Sequence, residues 1–417
     1  MIYFVSTTGN NKNTGTMEQP WLTLEYAVNQ LSAGDILYIR GGEYILTEAI
    51  LCKKSGTRDN PIVYSGYEDE IVEIDADNIN FHLEKDKYNF GVETGAIFLY
   101  LVEHIQIRNI CVKNSHGHGI AVRDSNNIII DSCTVRNTFC CGISLWDTKS
   151  TQTICHHNKI INNTVIKATT WDMLPEGRKK GNEPPHEAIS IAGACDFEVA
   201  YNKVYDCDKE GIDVKEVSHH GTVHHNHVHH VDRQGLYADA WFGPLTHVDF
   251  YENTVHDCKG AGIVISVEQG ERVSDIKIYN NNVYDNWGSG ILFGVFGADK
   301  IRHNIDVFNN IVKRNGYGGG KADAPGYFWI IGGMCLLSAN VTDCRIFNNI
   351  FQDNKGFDIG YNSTLYCPNG EDICDVLKEK RVSIFDNVIM KSSLPEPQYP
   401  IKINYENSML YKIENFS

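Results

Sequence analysis

Tyr279-Asn280-Asn281-Asn282-Val283 is one copy of a phrase that decides the fold, and it returns as Tyr251-Glu252-Asn253-Thr254-Val255, Phe308-Asn309-Asn310-Ile311-Val312 and Phe347-Asn348-Asn349-Ile350-Phe351. Ile161 to Val165 and Phe385 to Ile389 fit the same frame, and Asn202 and Asn226 fall in it. The anchoring asparagine steps through 163, 202, 226, 253, 281, 310, 349 and 387, a period of roughly 24 to 29 residues with three expanded repeats. Such a period marks stacked supersecondary units, each unable to bury its apolar face without its neighbours.

A second signature lies eight to nine residues after each asparagine: a glycine followed by alternating apolar and variable positions. Gly211-Ile212-Asp213-Val214, Gly235-Leu236-Tyr237-Ala238, Gly262-Ile263-Val264-Ile265 and Gly290-Ile291-Leu292-Phe293 are examples, with Gly119 and Gly142 earlier in the chain. Period-two alternation predicts a short strand with one face inward and one outward. Each coil is therefore expected to supply an extended segment around the Asn phrase and another after the glycine. In such a stack the strands run parallel, about 4.8 Å apart. The repeated asparagine is expected as an internal ladder satisfying turn backbone, being a residue that tolerates left-handed geometry.

The expected class is all-β: a parallel β-helix solenoid with a short N-terminal capping helix. Residues 1–50 read as a cap and first coil, with an amphipathic helix between Leu22 and Leu31. Residues 51–392 read as the solenoid and 393–417 as a C-terminal cap or tail. At 417 residues a globular chain would divide, but a repeat array grows along one axis and needs no division.

A formal charge of −16 disfavours nucleic acid and anionic membrane as partners. No apolar run is long enough for a spanning helix, and Met1 to Ser6 lacks the basic and apolar regions of a signal peptide. Thirteen cysteines without paired spacing read as reduced, buried thiols. These features point to the cytoplasm, or to secretion if a signal segment has been removed.

The opening, the Asn phrase and the Gly-strand together resemble the right-handed parallel β-helix proteins of the pectate-lyase-like superfamily. The resemblance covers nearly the whole chain and implies a carbohydrate-active enzyme. It does not by itself select a reaction, because lyases, hydrolases, epimerases and phage tailspikes share the fold. The stretches Glu210 to Glu216, Gly235 to Trp241 and Ser266 to Gly270 are similar to β-helix proteins of the glycoside hydrolase type.

Aligning Gly211, Gly235 and Gly262 stacks the variable positions of three coils. The second positions are Asp213, Tyr237 and Val264; the fourth are Lys215, Asp239 and Ser266; the sixth are Val217, Trp241 and Glu268. One outward, exposed wall is thus expected to gather Asp213, Lys215, Tyr237, Asp239, Trp241 and Glu268. Aromatic rings beside carboxylates suit a sugar, whose C–H faces pack on rings while acids bond its hydroxyls. Asp239 and Glu268, one coil and two residues apart, should have Cα atoms on the order of 8 Å apart. That spacing lets the carboxyls reach either glycosidase geometry. Glu268 is expected to act as general acid, with Trp241 as its apolar neighbour. Asp239, kept ionised by Lys215, is expected as nucleophile or base. The bland alternative is a surface ion ladder.

Two expanded coils are expected to border this wall. One, Ala168 to Glu187, brings Trp171, His186 and Glu187 as substrate contacts; the other, Asn315 to Trp329, brings Trp329. Hydrolysis needs no cofactor and no metal. The alternatives are a calcium-assisted polysaccharide lyase with Lys215 as base and Asp213, Glu216 or Asp239 holding the ion, and a non-catalytic carbohydrate-binding solenoid. The expected partner is an oligosaccharide or glycoside. Seven histidines between His219 and His230 lie on the turn and the Asn-phrase strand, and are expected as a stacked surface away from the wall. Gly316 to Lys321 is not a phosphate loop, because Ala322 stands where Ser or Thr is required.

Overall fold

The computed structural model describes residues 1–81, 90–147, 155–177, 179, 186–297, 299–317, 331–392 and 410–414. The chain divides into two compact units, Met1–Lys209 and Glu210–Ser417. Each unit is built of coils carrying three strands, one more than the sequence suggested.

In the second unit one coil runs Leu245–Tyr251, Thr254–His256 and Ile263–Val267. The segment around the asparagine is broken by a corner, and the residue before the asparagine makes it. His225, Glu252, Asn280, Asn309, Asn348 and Asp386 all have φ between 53° and 56°. Left-handed geometry therefore falls one position earlier than expected, on whatever residue precedes the asparagine. That conformation costs a non-glycine residue about 1–2 kcal/mol.

The ladder asparagine offsets the cost with buried hydrogen bonds. Asn253 donates through Nδ2 to Asn281 Oδ1 (3.0 Å) and to the Val223 carbonyl (2.9 Å), and its backbone N–H donates to the same Asn281 Oδ1 (3.0 Å). The pattern continues through Asn310, Asn349 and Asn387. A second ladder, five residues on, was not read from the sequence: Asn286 Nδ2 donates to Asn315 Oδ1 (3.0 Å) and Asn315 Nδ2 to Asn354 Oδ1 (3.2 Å). Cys258 takes the equivalent place one coil earlier, where its backbone N–H donates to Asn286 Oδ1.

The glycine before each third strand is required by close approach. A Cβ on Gly235 would sit 2.3 Å from Val255 Cγ1, and on Gly262 2.4 Å from Val283 Cγ1. The valine that ends the Asn phrase thus fills the space left by the glycine of the preceding coil, which ties the two sequence signatures together. All pairings within the three sheets of this unit are parallel until the last, where Leu410–Lys412 runs antiparallel to Ile359–Asn362. The expanded coil after Asn349 holds two short helices, Ser363–Tyr366 and Ile373–Glu379, that the sequence reading did not anticipate.

The first unit follows the same plan, with Asn163 Nδ2 donating to Asn202 Oδ1 (3.0 Å). Its capping helix spans Leu24–Gln30, with the Thr23 hydroxyl accepting from the Tyr26 N–H. Leu24, Ala27 and Val28 are buried, and the helix packs against the strand Ile50–Cys52. All thirteen cysteines are free, ten of them buried, and burial pushes thiols such as Cys133 and Cys207 up to about 12. No helix among the described residues is long and apolar enough to cross a membrane.

Candidate functional site

The Gly-strands of the second unit stack in the register the glycines implied. Asp213 pairs with Tyr237, Tyr237 with Val264, and Asp239 with Ser266. The arithmetic therefore holds, and the carboxylates and aromatics do share one wall. Their exposure does not match the expectation. Asp213 is 1% exposed, Lys215 6%, Tyr237 3% and Asp239 3%.

For Tyr237 the cause lies in the row above it. Val264, Leu292 and Cys335 occupy the outward second positions, and apolar side chains there need a cover. Ile331 and Phe357 supply it in a buried cluster with Tyr237 on the outside of the sheet, and half-buried Phe296 packs against that cluster. Phe296 meets the Tyr237 ring edge-on at 6.2 Å. The wall is thus roofed at Tyr237 and above by segments that flank the Gly-strands, Phe296 after one and Ile331 and Phe357 ahead of the next two, and Asp213, Lys215 and Asp239 lie buried beside it instead of on an open face.

Within the site, Lys215 Nζ lies 3.6 Å from Asp213 Oδ2 and 4.5 Å from the centre of the Trp241 ring. Both charges are almost fully buried, so their pairing acts in a weakly screened environment. Tyr237 Oη donates to Glu268 Oε1 at 2.9 Å. The Phe242 N–H donates to Glu216 Oε2 (3.3 Å), fixing the turn that follows Trp241. Trp241 and Phe242 lie 4.3 Å apart between ring centres, with Phe242 55% exposed. Glu268 and Trp241 are half-buried, so the accessible rim is Glu268, Trp241 and Phe242 and the deep groups are Asp213, Lys215 and Asp239. Phe242 was missed by sequence reasoning; its signal was an exposed aromatic directly after the tryptophan.

Calcium finds no ready cage here. Among the described residues of this wall no three acidic, histidine or cysteine side chains gather as cation ligands, and Asp213 already faces the Lys215 ammonium. The residues present do not fit the ion that the lyase alternative invoked.

The remaining expected contacts lie in the first unit or outside the described residues. His186 packs edge-on against Trp146 (4.7 Å) and lies 6.1 Å from the ring of His118. Glu187 Oε2 accepts from the Ser190 hydroxyl (2.8 Å), which also receives Trp146 Nε1 (3.1 Å). His118 is fully buried, with Nδ1 2.8 Å from Ser144 Oγ and no hydrogen-bond partner at Nε2 among the described residues. Burial holds its imidazole well below the usual histidine range, so it stays neutral. Trp171 sits on the turn Trp171–Met173 against Phe139. Trp329 lies outside the described residues, as do Arg178, Lys180, Lys321, Asp323, Tyr327 and Phe328.

Residues 3–182 match the model of the Pel9A-like right-handed β-helix region, and residues 95–271 match that of the right-handed β-helix region. The chain is a right-handed parallel β-helix. Pectate lyase PEL9 of Emericella nidulans is 29% identical over 154 residues, 37% of each chain, so the match spans a little over a third of that relative's length. Among solved structures, the A-module of the Azotobacter vinelandii mannuronan C-5 epimerase AlgE4 superposes with a TM-score of 0.59 at 14% identity, covering 91% of this chain and 92% of its own. The GH136 lacto-N-biosidase of Eubacterium ramulus superposes with a TM-score of 0.50 at 13% identity, covering 94% of this chain and 68% of its own. At such identities the likeness is one of fold.

Proposed function

We propose that the protein cleaves a glycosidic bond in an oligosaccharide or glycoside at the wall of the second unit, by hydrolysis between Glu268 and Asp239. The observation that carries this reading is the Tyr237–Glu268 hydrogen bond, which places a partly accessible carboxyl at the rim above a buried carboxylate. With Oε1 accepting from the phenol, the Glu268 carboxyl is the group proposed to carry a proton for the leaving group. Glu268 passes that proton to the glycosidic oxygen as the bond to the anomeric carbon breaks. Asp239, from the neighbouring coil, meets the anomeric carbon or takes the proton of the water that does. Trp241, with Lys215 against its ring, gives the sugar an apolar plane at the rim. The depth of Asp239 suits a terminal sugar entering end-on better than a long chain lying across the wall.

A second reading is favoured by the Pel9A-like match and the pectate lyase relative: β-elimination from an acidic polysaccharide, with Lys215 removing the proton beside the uronate carboxylate. A buried lysine is the kind of group whose proton affinity can be tuned for that task.

The two readings leave different products. Incubation with short neutral and acidic oligosaccharides should release reducing ends without new ultraviolet absorbance, and added chelator should leave the rate unchanged. Products that absorb as unsaturated uronides would replace hydrolysis with elimination.

A further inference from the structure

The second unit carries a stripe of imidazoles on the outer faces of its long and short strands, none of which serves the wall described above. Several stack on a neighbour from the next coil, as His224 does on Tyr251 (4.6 Å, 10°) and His220 on His247 (4.8 Å, 10°). One group is arranged differently. His227 and His229 lie on the strand His227–His229, whose period of two puts both on the same face. The parallel register sets His256 beside His229, and their rings stack at 5.0 Å and 11°. The His227 ring is 4.7 Å from that of His229 and 5.0 Å from that of His256.

His256 is held from three directions. Tyr284 of the next coil stacks on it at 4.7 Å and 8°, opposite His229. Its Nδ1 lies 2.6 Å from Asp257 Oδ2, a carboxylate turned back by the left-handed corner at Asp257 (φ 53°). A carboxylate oxygen at that distance accepts from the ring, which fixes the proton on Nδ1. The lone pair of His256 is then on Nε2, and Nε2 is 2.7 Å from Nε2 of His227. Two ring nitrogens thus aim at one point that a single shared proton fills.

A carboxylate behind one imidazole, fixing its tautomer and aiming its other nitrogen, is the arrangement that supports metal-bound histidine. Two nitrogens on a tetrahedral cation at about 2.0–2.1 Å stand about 3.3 Å apart, so a small opening of the pair replaces the proton with an ion. As the rings stand no three such ligands close around a point, and a turn of the adjacent His229 ring supplies the third. The three rings are half-buried and reachable from solvent.

We propose that His227 and His256, with His229 as third ligand, bind a divalent transition cation of the zinc or nickel class on the outer surface of the second unit. The proposal rests on no step of the reaction above. It is tested by stripping the full chain with chelator, dialysing, and titrating with zinc chloride calorimetrically at neutral pH. One saturable site of micromolar affinity is expected, weakened about 10–100-fold by Asp257→Asn and at least as much by His227→Gln or His256→Gln. His247→Gln, at the ring that stacks on His220 on a different strand, should leave it unchanged, and acidification should abolish it because protons compete for the same lone pairs. The absence of saturable uptake, or uptake indifferent to His227→Gln and Asp257→Asn, would overturn the proposal.

Discussion

The Asn corner and the Gly-strand wall of the second unit are built on the same coils, yet one repeats and the other does not. At the corner every coil from Asn226 to Asn387 places the same amide in the same hydrogen bonds. On the wall the register is equally regular, but the outward positions change from Asp213 to Tyr237 to Val264 and from Asp239 to Ser266. Repetition reports what every coil needs in order to stack, and departure from it reports what a particular place does. The two regions should therefore respond to mutation in opposite ways.

The largest effect is expected on the wall. Asp239→Asn and Glu268→Gln should each lower turnover by about 10²–10⁴-fold, with thermal midpoints close to the parent's. Asparagine is the informative replacement at Asp239, because the residue is buried and alanine would also leave a cavity and disturb its surroundings. An equal loss of stability and activity in Asp239→Asn would erase the contrast.

At the corner, Asn281→Ala removes the acceptor of the Asn253 backbone and side-chain N–H groups and two bonds donated by Asn281 itself. About 3 kcal/mol of stability should be lost, read from the urea midpoint at unchanged slope, while the substrate constant of the remaining folded protein stays the same.

Tyr237→Phe sits between the two regions in kind, since the ring belongs to the roofing cluster and only the hydroxyl reaches Glu268. Turnover should fall about tenfold, the worth of one hydrogen bond, with the ring's packing retained. A variant as active as the parent would show that the phenol does not set the position of Glu268.

The smallest effect concerns the first unit. His118 has a depressed folded pKa, so the unfolded chain binds the extra proton first as the medium is acidified. Its contribution is complete above the ordinary histidine value of about 6.5 and declines as pH falls from there toward the folded value. Melting curves from pH 7.5 down to pH 5 should show this slope, and His118→Gln should shallow it.

The sequence carried the fold well because its signals are local and repeated: Asn281 and Gly290 recur at the same offset in coil after coil, and the spacing alone sets the Gly-strand register. It did not reveal the corner, because the left-handed residue before the asparagine is His225 in one coil, Glu252 in the next and Asn280 after that, with no shared chemistry. Residue identities brought Asp213, Lys215, Asp239 and Glu268 to one wall, but their depth was illegible. Roofing at Tyr237 brings in Phe296, Ile331 and Phe357, 59 to 120 positions further along the sequence, and nothing local announces it. The same holds for His186 and Glu187, whose company of His118, Trp146 and Ser190 depends on stacking of coils with loops of unequal length.

The central claim is that a sugar is cleaved beneath the Trp241 rim. The most direct measurement is a crystal structure of the Glu268→Gln variant soaked with an oligosaccharide that the parent enzyme cleaves. A sugar ring against Trp241, with its glycosidic oxygen within hydrogen-bond reach of the residue 268 side chain and its anomeric carbon toward Asp239, is the predicted result. A saccharide held on the outer faces of the long or short strands, with the wall left unoccupied, would contradict it.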